Sequence, residues 1–449
     1  MSTPQTPGHA TKPLPKHDAY AALRVPNYRY FAAGWLPASM GLQMQTTALA
    51  WEIYERTGDP LSLGWIGVAR ALPTILLALP AGQIVDRVDR LRMLINTQSG
   101  FAIANLMLTV GSIAWSRGAM GSGLAGLLVM YGLIALTGCA RVFNGPSRNS
   151  LLPQLIPGGA TSTTFHNAVT WNSTVFQISA IGGPLLAGLL IWLVGAAWPV
   201  YAIAAAASLW FGLTCRLIKP LADEREPRYP REASFWEALR PSSLIPGITE
   251  GVRHIWREQA IFGAITLDLL AVLLGGATAL MPIFAKDVLH VGAVGLGALR
   301  AAPFAGALLM ALVIVFLPPF KQAGRALLLS VAGFGLCTIG FGLSTNFWLS
   351  LALLATLGAL DNISVVIRHV LVNVRTPDRL RGRVSAVNSV FIESSNELGA
   401  FESGLVAKLF TPVISVVSGG IGTVIVVAVM ALTLPELRRL GRLSVEVKP

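Results

Sequence analysis

The chain has 449 residues, 53% of them hydrophobic and only 12% charged. That balance excludes an ordinary soluble globular protein and points to a bilayer as solvent. A formal net charge of +12 raises a nucleic-acid partner, but the placement of the basic residues argues for anionic lipid headgroups instead, as follows.

Apolar runs long enough to span hydrocarbon, which takes about 20 residues per helix, start near Tyr30, Leu61, Met93, Gly123, Phe165, Ala196, Ala260, Val291, Ala326, Phe347, Arg383 and Pro412. About twelve spans follow. The chain lacks the alternating pattern of a membrane barrel, so an all-α membrane protein is expected. With the amino terminus inside, Arg56, Arg117, Lys286 and Lys408 lie outside and Arg70, Arg141 and Arg300 within spans. The remaining Lys and Arg collect on the cytoplasmic side, the positive-inside pattern, with both termini cytoplasmic. Cys139, Cys215 and Cys337 are scattered and odd in number, which gives neither a disulfide framework nor a metal site.

In chain order, residues 1–18 lack an apolar h-region and read as a disordered cytoplasmic tail. The first span carries Gln43 and Gln45 but no charge; buried amides need a partner helix or a wet cavity. Between the second and third spans lies Gly82-Gln-Ile-Val-Asp86-Arg87-Val-Asp-Arg90-Leu-Arg92. So many charges in so few residues cannot sit in hydrocarbon, and a short turn at the membrane surface is expected. This Gly-x-x-x-Asp-Arg-x-x-Arg-x-Arg pattern resembles the signature loop of the major facilitator superfamily of secondary transporters. The Asp-Arg-x-Asp-Arg variant is similar to the branch holding enterobactin exporters and macrolide efflux proteins. In that superfamily the Gly lets two helices approach closely, and the Asp docks on a neighbouring helix end while the cytoplasmic side is shut.

The chain is doubled. Arg70-Ala-Leu-Pro73 recurs as Arg300-Ala-Ala-Pro303, a shift of 230, with Gly67 and Gly297 in register. Arg148, Leu151 and Pro157 recur as Arg368, Leu371 and Pro377, a shift of 220. Two pseudo-symmetric six-helix bundles are expected, 19–218 and 259–434, with a substrate site near the midplane between them. The polar segment 219–258 reads as a linker of two short amphipathic helices on the inner leaflet, and 435–449 as a cytoplasmic tail.

Ionisable groups inside spans are functional candidates by default. Thr137 to Gly145 resembles the Arg-x-x-Gln-Gly motif of facilitator antiporters, with Asn144 in place of Gln; the resemblance puts Arg141 near the cavity and in proton coupling. Ser179 to Gly188, with Gly183 and Pro184, resembles the antiporter motif of the fifth span, a feature of exporters. Asp268 in the seventh span and Asp361-Asn362 in the tenth fall on cavity-lining spans under that architecture. Desolvation favours the protonated form of a carboxylate, so both are candidates for binding and releasing protons, or for static pairs with Arg141 or Arg300. Asp361 stands opposite in sign to Arg141 at the equivalent site. In the eleventh span Glu393 and Glu397 share a face and Glu402 does not. Arg70 and Glu402 are expected to pair and close the outer mouth, with Arg300 as the symmetric counterpart. Trp171 and Phe391 are candidate substrate contacts, beside Gln43, Gln45, Asn144, Asn362 and Glu397.

No nucleotide-binding fingerprint or reactive His, Ser or Cys grouping is visible, so neither cofactor nor enzyme chemistry is expected. The resemblance implies a monomeric, proton-coupled exporter of a small organic molecule, a siderophore or an amphipathic drug, in the inner membrane. An importer of the same fold and a membrane-embedded enzyme are the alternatives.

Overall fold

The computed structural model describes residues 18–118, 123–159, 162–219, 249–250, 252–276, 278–318 and 320–441, without the side chains of 78–80, 82, 83, 86, 87, 378, 379 and 386. Among the described residues, twelve long helices carry the fold. They are α1 (Pro26–Thr57), α2 (Pro60–Arg87), α3 (Arg90–Ser116), α4 (Leu124–Leu151), α5 (Thr163–Val194) and α6 (Trp198–Arg216). Then come α7 (Gln259–Leu274), α8 (Gly292–Phe316), α9 (Ala323–Leu343), α10 (Phe347–Arg375), α11 (Asp378–Leu409) and α12 (Pro412–Thr433). Among the described residues, nine helices are long and apolar enough to cross a membrane. The other three are α7, only 16 residues long, and α1 and α11, whose polar residues lower their hydropathy.

The helix ends follow from local chemistry. Thr57-Gly58-Asp59-Pro60 stops α1 and starts α2 within two residues. Gly58 takes the left-handed φ of +58° that a C-terminal cap requires. Asp59 accepts the Leu61 amide, and Pro60, at the first helical position, has no amide to lose there. Asn346 and Thr411 cap α10 and α12 in the same way. The charged stretch after Gly82 is more helical than expected. α2 runs to Arg87, only Val88 and Asp89 lie outside helices, and the Asp89 carboxylate caps α3 by accepting the Leu91 and Arg92 amides, each at 3.0 Å. The side chains of Gly82, Asp86 and Arg87 lie outside the described residues; the Arg90 guanidinium donates to the Ser150 carbonyl at the end of α4, 3.1 Å away.

The first six helices pack in a pattern that the last six repeat. α1 packs on α5 and α6, α2 on α4, and α3 on α4 and α6. Correspondingly, α7 packs on α11 and α12, α8 on α10, and α9 on α10 and α12. The sequence duplication reappears as contacts: Gly138 of α4 lies against Pro73 of α2, and Gly358 of α10 against Pro303 of α8. Two long helix pairs join the halves, α2 with α11 and α5 with α8. Both close on a glycine. The bare Cα of Gly67 meets the Glu397 carbonyl, and that of Gly297 meets the Pro184 carbonyl.

The two ends of the molecule differ. At the end far from the termini, one continuous apolar core runs through both halves, from Leu49, Ile53 and Tyr201 to Phe284, Leu296 and Phe341. At the terminal end each half keeps its own core, with Tyr28, Phe31 and Phe211 in the first and Leu267, Leu327 and Leu371 in the second. Polar ties reinforce the far end. Tyr54 donates a short hydrogen bond to Asp287, Lys286 meets Glu55 at 3.0 Å, and Lys408 donates to Asp59 at 2.8 Å. Lys286 and Asp287 lie in a π-helical turn, Phe284–Val288.

The segments outside the bundle are described in part. Of the linker 219–258, residues 220–248 and 251 lie outside the described residues; 252–257 are helical, with Ile255 buried and Trp256 exposed. The proposed tail begins with a docked segment, because Leu437 and Leu440 are buried and the Gly324 amide of α9 donates to the Leu440 carbonyl. Apolar side chains in its first turn explain the docking. Residues 1–17 and 442–449 lie outside the described residues.

Candidate functional site

Charged side chains gather where the halves meet. Arg141 of α4 and Glu393 of α11 form an ion pair across the halves at 3.5 Å, both about half exposed. Glu397, one turn further along α11, is in electrostatic contact with Arg70 of α2, Arg141 and Arg300 of α8. Arg70 and Arg300 are near enough to repel each other, and Arg300 reaches Thr47 of α1 at 3.5 Å. Five groups from four helices of both halves thus form one cluster at mid-depth. Helical periodicity puts Glu393 and Glu397 on a single face of α11, and the close approach at Gly67 lays that face against α2.

The expected Arg70–Glu402 pair does not form. Gly64 abuts Phe401, Gly67 abuts Glu397, and Gly404 abuts Pro60 and Gly64, an antiparallel register that brings Arg70 level with Glu393 and Ser394. Glu402 lies eight residues on, about 12 Å along the axis, and accepts a hydrogen bond from Ser403 at 3.4 Å. Relative register is a tertiary property that depth alone does not supply.

A second cluster lies inside the second half. Asp268 of α7 and Arg368 of α10 form a tight ion pair, with residue exposures of 7% and 3%. Asp361, two turns before Arg368 on α10, lines a small pocket with Asp268, Val331, Phe334 and Ser364. The sequence offers Arg141 or Arg300 as partners for these acids; the observed partner of Asp268 is Arg368, which by sequence counts among the cytoplasmic basic residues. The Arg368 guanidinium pairs with Asp268 and lies within electrostatic range of Asp361. The symmetric arginine, Arg148, has an aromatic partner instead: its guanidinium lies 3.9 Å from the ring centre of Trp35 on α1. By sequence both arginines belong with the cytoplasmic charges, and both lie within helices.

Several other candidates lie elsewhere than expected. Gln43 faces α5, its Cβ close to Gly183. Gln45 is two residues away and so points to another side of the helix. With Asn144 it lines a small polar pocket inside the first half, beside Gln98, Asn105 and Ser208. Trp171 anchors the chain start: its indole N–H donates to the Ala19 carbonyl at 2.9 Å, and its ring packs on Tyr20. Asn167 binds the same segment, accepting the Ala22 amide at 3.0 Å. Phe391 is exposed on α11, and Asn362 keeps an unpartnered amide oxygen among the described residues. Pro184 is buried at the α5–α8 contact and Gly188 abuts Ala293, the close packing that the small residues of this span foretell.

Among the described residues, twelve long helices in two repeated halves, joined by two helix pairs around a charge cluster, form the major facilitator fold. The transmembrane secretion effector family model matches residues 17–446, and the chain belongs to that family of multi-pass membrane transporters. It is 26% identical over 420 residues to the multidrug efflux pump Tap of Mycobacterium tuberculosis, covering 90% of this chain and 92% of that one. It is 28% identical over 263 residues to the enterobactin exporter EntS of Escherichia coli, covering 59% and 60%. Among solved structures, a bacterial homologue of the iron transporter ferroportin in an inward-facing state superposes with a TM-score of 0.67 at 15% identity, covering 91% and 99%. The nucleoside transporter NupG gives 0.67 at 13% identity, covering 91% and 99%.

Proposed function

We propose that the chain is a proton-coupled exporter of small organic molecules that works by alternating access of its two halves. The observation that carries this reading is the unequal closure: a shared core and three polar ties at the far end, separate cores at the terminal end, and a charge cluster at the depth where the halves part. With the termini cytoplasmic, as the basic residues indicate, this is an inward-open arrangement. The halves comprise residues 19–218 and 259–434, act within one monomer in the inner membrane, and carry cargo without transforming it. Export as the direction is supported by the relatives, an efflux pump and a siderophore exporter.

Proton coupling belongs to the Asp268–Asp361–Arg368 pocket. Two carboxylates facing one guanidinium leave a surplus negative charge in a low-dielectric interior, and a single proton removes it. Opening that pocket to alternate sides of the membrane would turn proton binding into work on the cargo.

The test is transport in vesicles under an imposed pH gradient, screened against drugs and siderophores. Wild type is expected to move cargo uphill against the proton flux. Asp361→Asn should keep exchange of cargo between the two sides but lose the response to the gradient, because the surplus charge is gone. A variant that follows the gradient as well as wild type would remove Asp361 from the coupling site. The side on which cargo accumulates separates export from import.

A further inference from the structure

We infer that the cargo is an amphipathic organic anion, whose oxyanion group is held by Arg70, Arg141 and Arg300 with Glu393 as the internal anion it displaces. The inference rests on the central cluster being the cargo site of the exporter proposed above, and it assigns that site a chemistry.

Charge balance comes first. Three guanidinium groups interact there with two carboxylates, Glu393 and Glu397, which leaves one positive charge without a partner between the halves. An unmatched charge drawn from water is costly, and a bound anion removes that cost. A bound cation would add to the surplus.

Access comes second. The members of the cluster differ in exposure: Arg141 and Glu393 are about half exposed, whereas Arg300 reaches the buried Thr47. The exposed pair is therefore the exchangeable one. A carboxylate or another planar oxyanion matches the guanidinium fork with two parallel hydrogen bonds. It can take the place of Glu393 on Arg141 while Glu397 stays among the arginines. Since Arg141 and Glu393 belong to different halves, the exchange also removes a tie across the interface.

The apolar part of the ligand has a matching surface. Phe304 lies one turn from Arg300 toward the terminal end of α8 and meets Phe176 of α5 edge-on, with ring centroids 6.3 Å apart. Phe176 is itself exposed. The aromatic pair thus lies between the depth of the arginines and the terminal end, where the halves have separate cores. A ligand with an aromatic body and an acidic head would lay its ring there and its head on the cluster.

The experiment measures binding to the purified full chain by tryptophan fluorescence and thermal stabilisation at constant ionic strength. Probes are aromatic carboxylates paired with their carboxamides (salicylate with salicylamide, naphthoate with naphthamide), a lipophilic cation, tetraphenylphosphonium, and inorganic phosphate. Carboxylates are expected to bind and their amides to bind at least about tenfold more weakly, the difference a charged hydrogen-bond partner makes. Arg141→Gln should weaken carboxylate binding by a similar factor. Glu393→Gln should strengthen it, because the competing internal anion is gone; a merely structural Glu393 would not produce that sign.

Preference for the cation, equal binding of carboxylates and amides, weaker carboxylate binding in Glu393→Gln, binding of phosphate as tight as that of the aromatic acids, or binding of no probe would each overturn the inference. Gradient-driven export of the cation without carboxylate binding would sink this assignment and leave the exporter reading intact. Carboxylate binding with no gradient-driven movement would do the reverse.

Discussion

Replacing Arg368 with Gln should be the most destabilising single change among the buried charges. The substitution leaves Asp268 and Asp361 facing each other across one pocket with no cation. Losing one partner of a buried pair costs about 3–5 kcal/mol, because the charge left behind is neither hydrated nor matched. The chain can lower that cost only by binding protons, so the variant should be most nearly rescued in acid. The double variant Arg368→Gln with Asp268→Asn should recover most of the loss, since the two paired charges go together and the pocket keeps the same single surplus charge as wild type, on Asp361. Thermal unfolding of the detergent-purified variants checks this, read at two pH values. A double variant no more stable than Arg368→Gln alone would show that the pair is not what holds α7 to α10.

The second large effect is expected at the glycines that join the halves. A Cβ on Gly67 would lie 2.4 Å from the Glu397 carbonyl oxygen, and one on Gly297 would lie 2.5 Å from that of Pro184. Backbone has to move in either case, and overpacking of this kind costs about 1–3 kcal/mol. The functional loss should exceed the loss of stability, because these two contacts are the pivots between the halves. Gly67→Ala and Gly297→Ala are each expected to cut transport about tenfold or more while the protein still inserts in the membrane. Gly132, which has nothing within 4 Å of a built Cβ, supplies the control: Gly132→Ala should transport like wild type. Normal transport by both interface variants would mean that the halves do not turn on these contacts.

Much of this architecture was readable before any coordinates. The apolar runs locate all twelve helices to within a few residues, because each is bounded by a cap, a proline or a charged turn that cannot enter lipid. The doubling was readable as well, since Arg70 and Arg300 keep the same distance from Gly67 and Gly297 in both halves. What stayed hidden is mostly tertiary. Glu402 has the right charge and nearly the right depth to meet Arg70, but the α2–α11 register gives that place to Glu397, with Glu393 beside it. Arg368 lies just past the roughly 20 residues that span hydrocarbon from Phe347, which places it by length among the cytoplasmic charges, although Val370, Leu371 and Val372 continue the apolar run. Its same-face spacing from Asp361 and its match to Arg148 were the signals available. Gln43 and Gln45 divide between the two environments open to buried amides, Gln43 against helix α5 and Gln45 on a small pocket, because residues two apart point to different sides of a helix. Trp171 had the chemistry of a ligand contact but is engaged by the Ala19 carbonyl.

The central claim is that two related halves swing about the Arg70–Arg141–Arg300 cluster, opening one end as the other closes. Spin-label distances test it most directly, in a chain whose Cys139, Cys215 and Cys337 have been replaced. One label pair on Trp198 and Trp348 spans the far end, and another on Val88 and Lys321 spans the terminal end. Acidification or addition of a transported cargo should lengthen the first distance and shorten the second in the same sample. Distances that stay fixed while transport proceeds, or that change in the same direction, would contradict it.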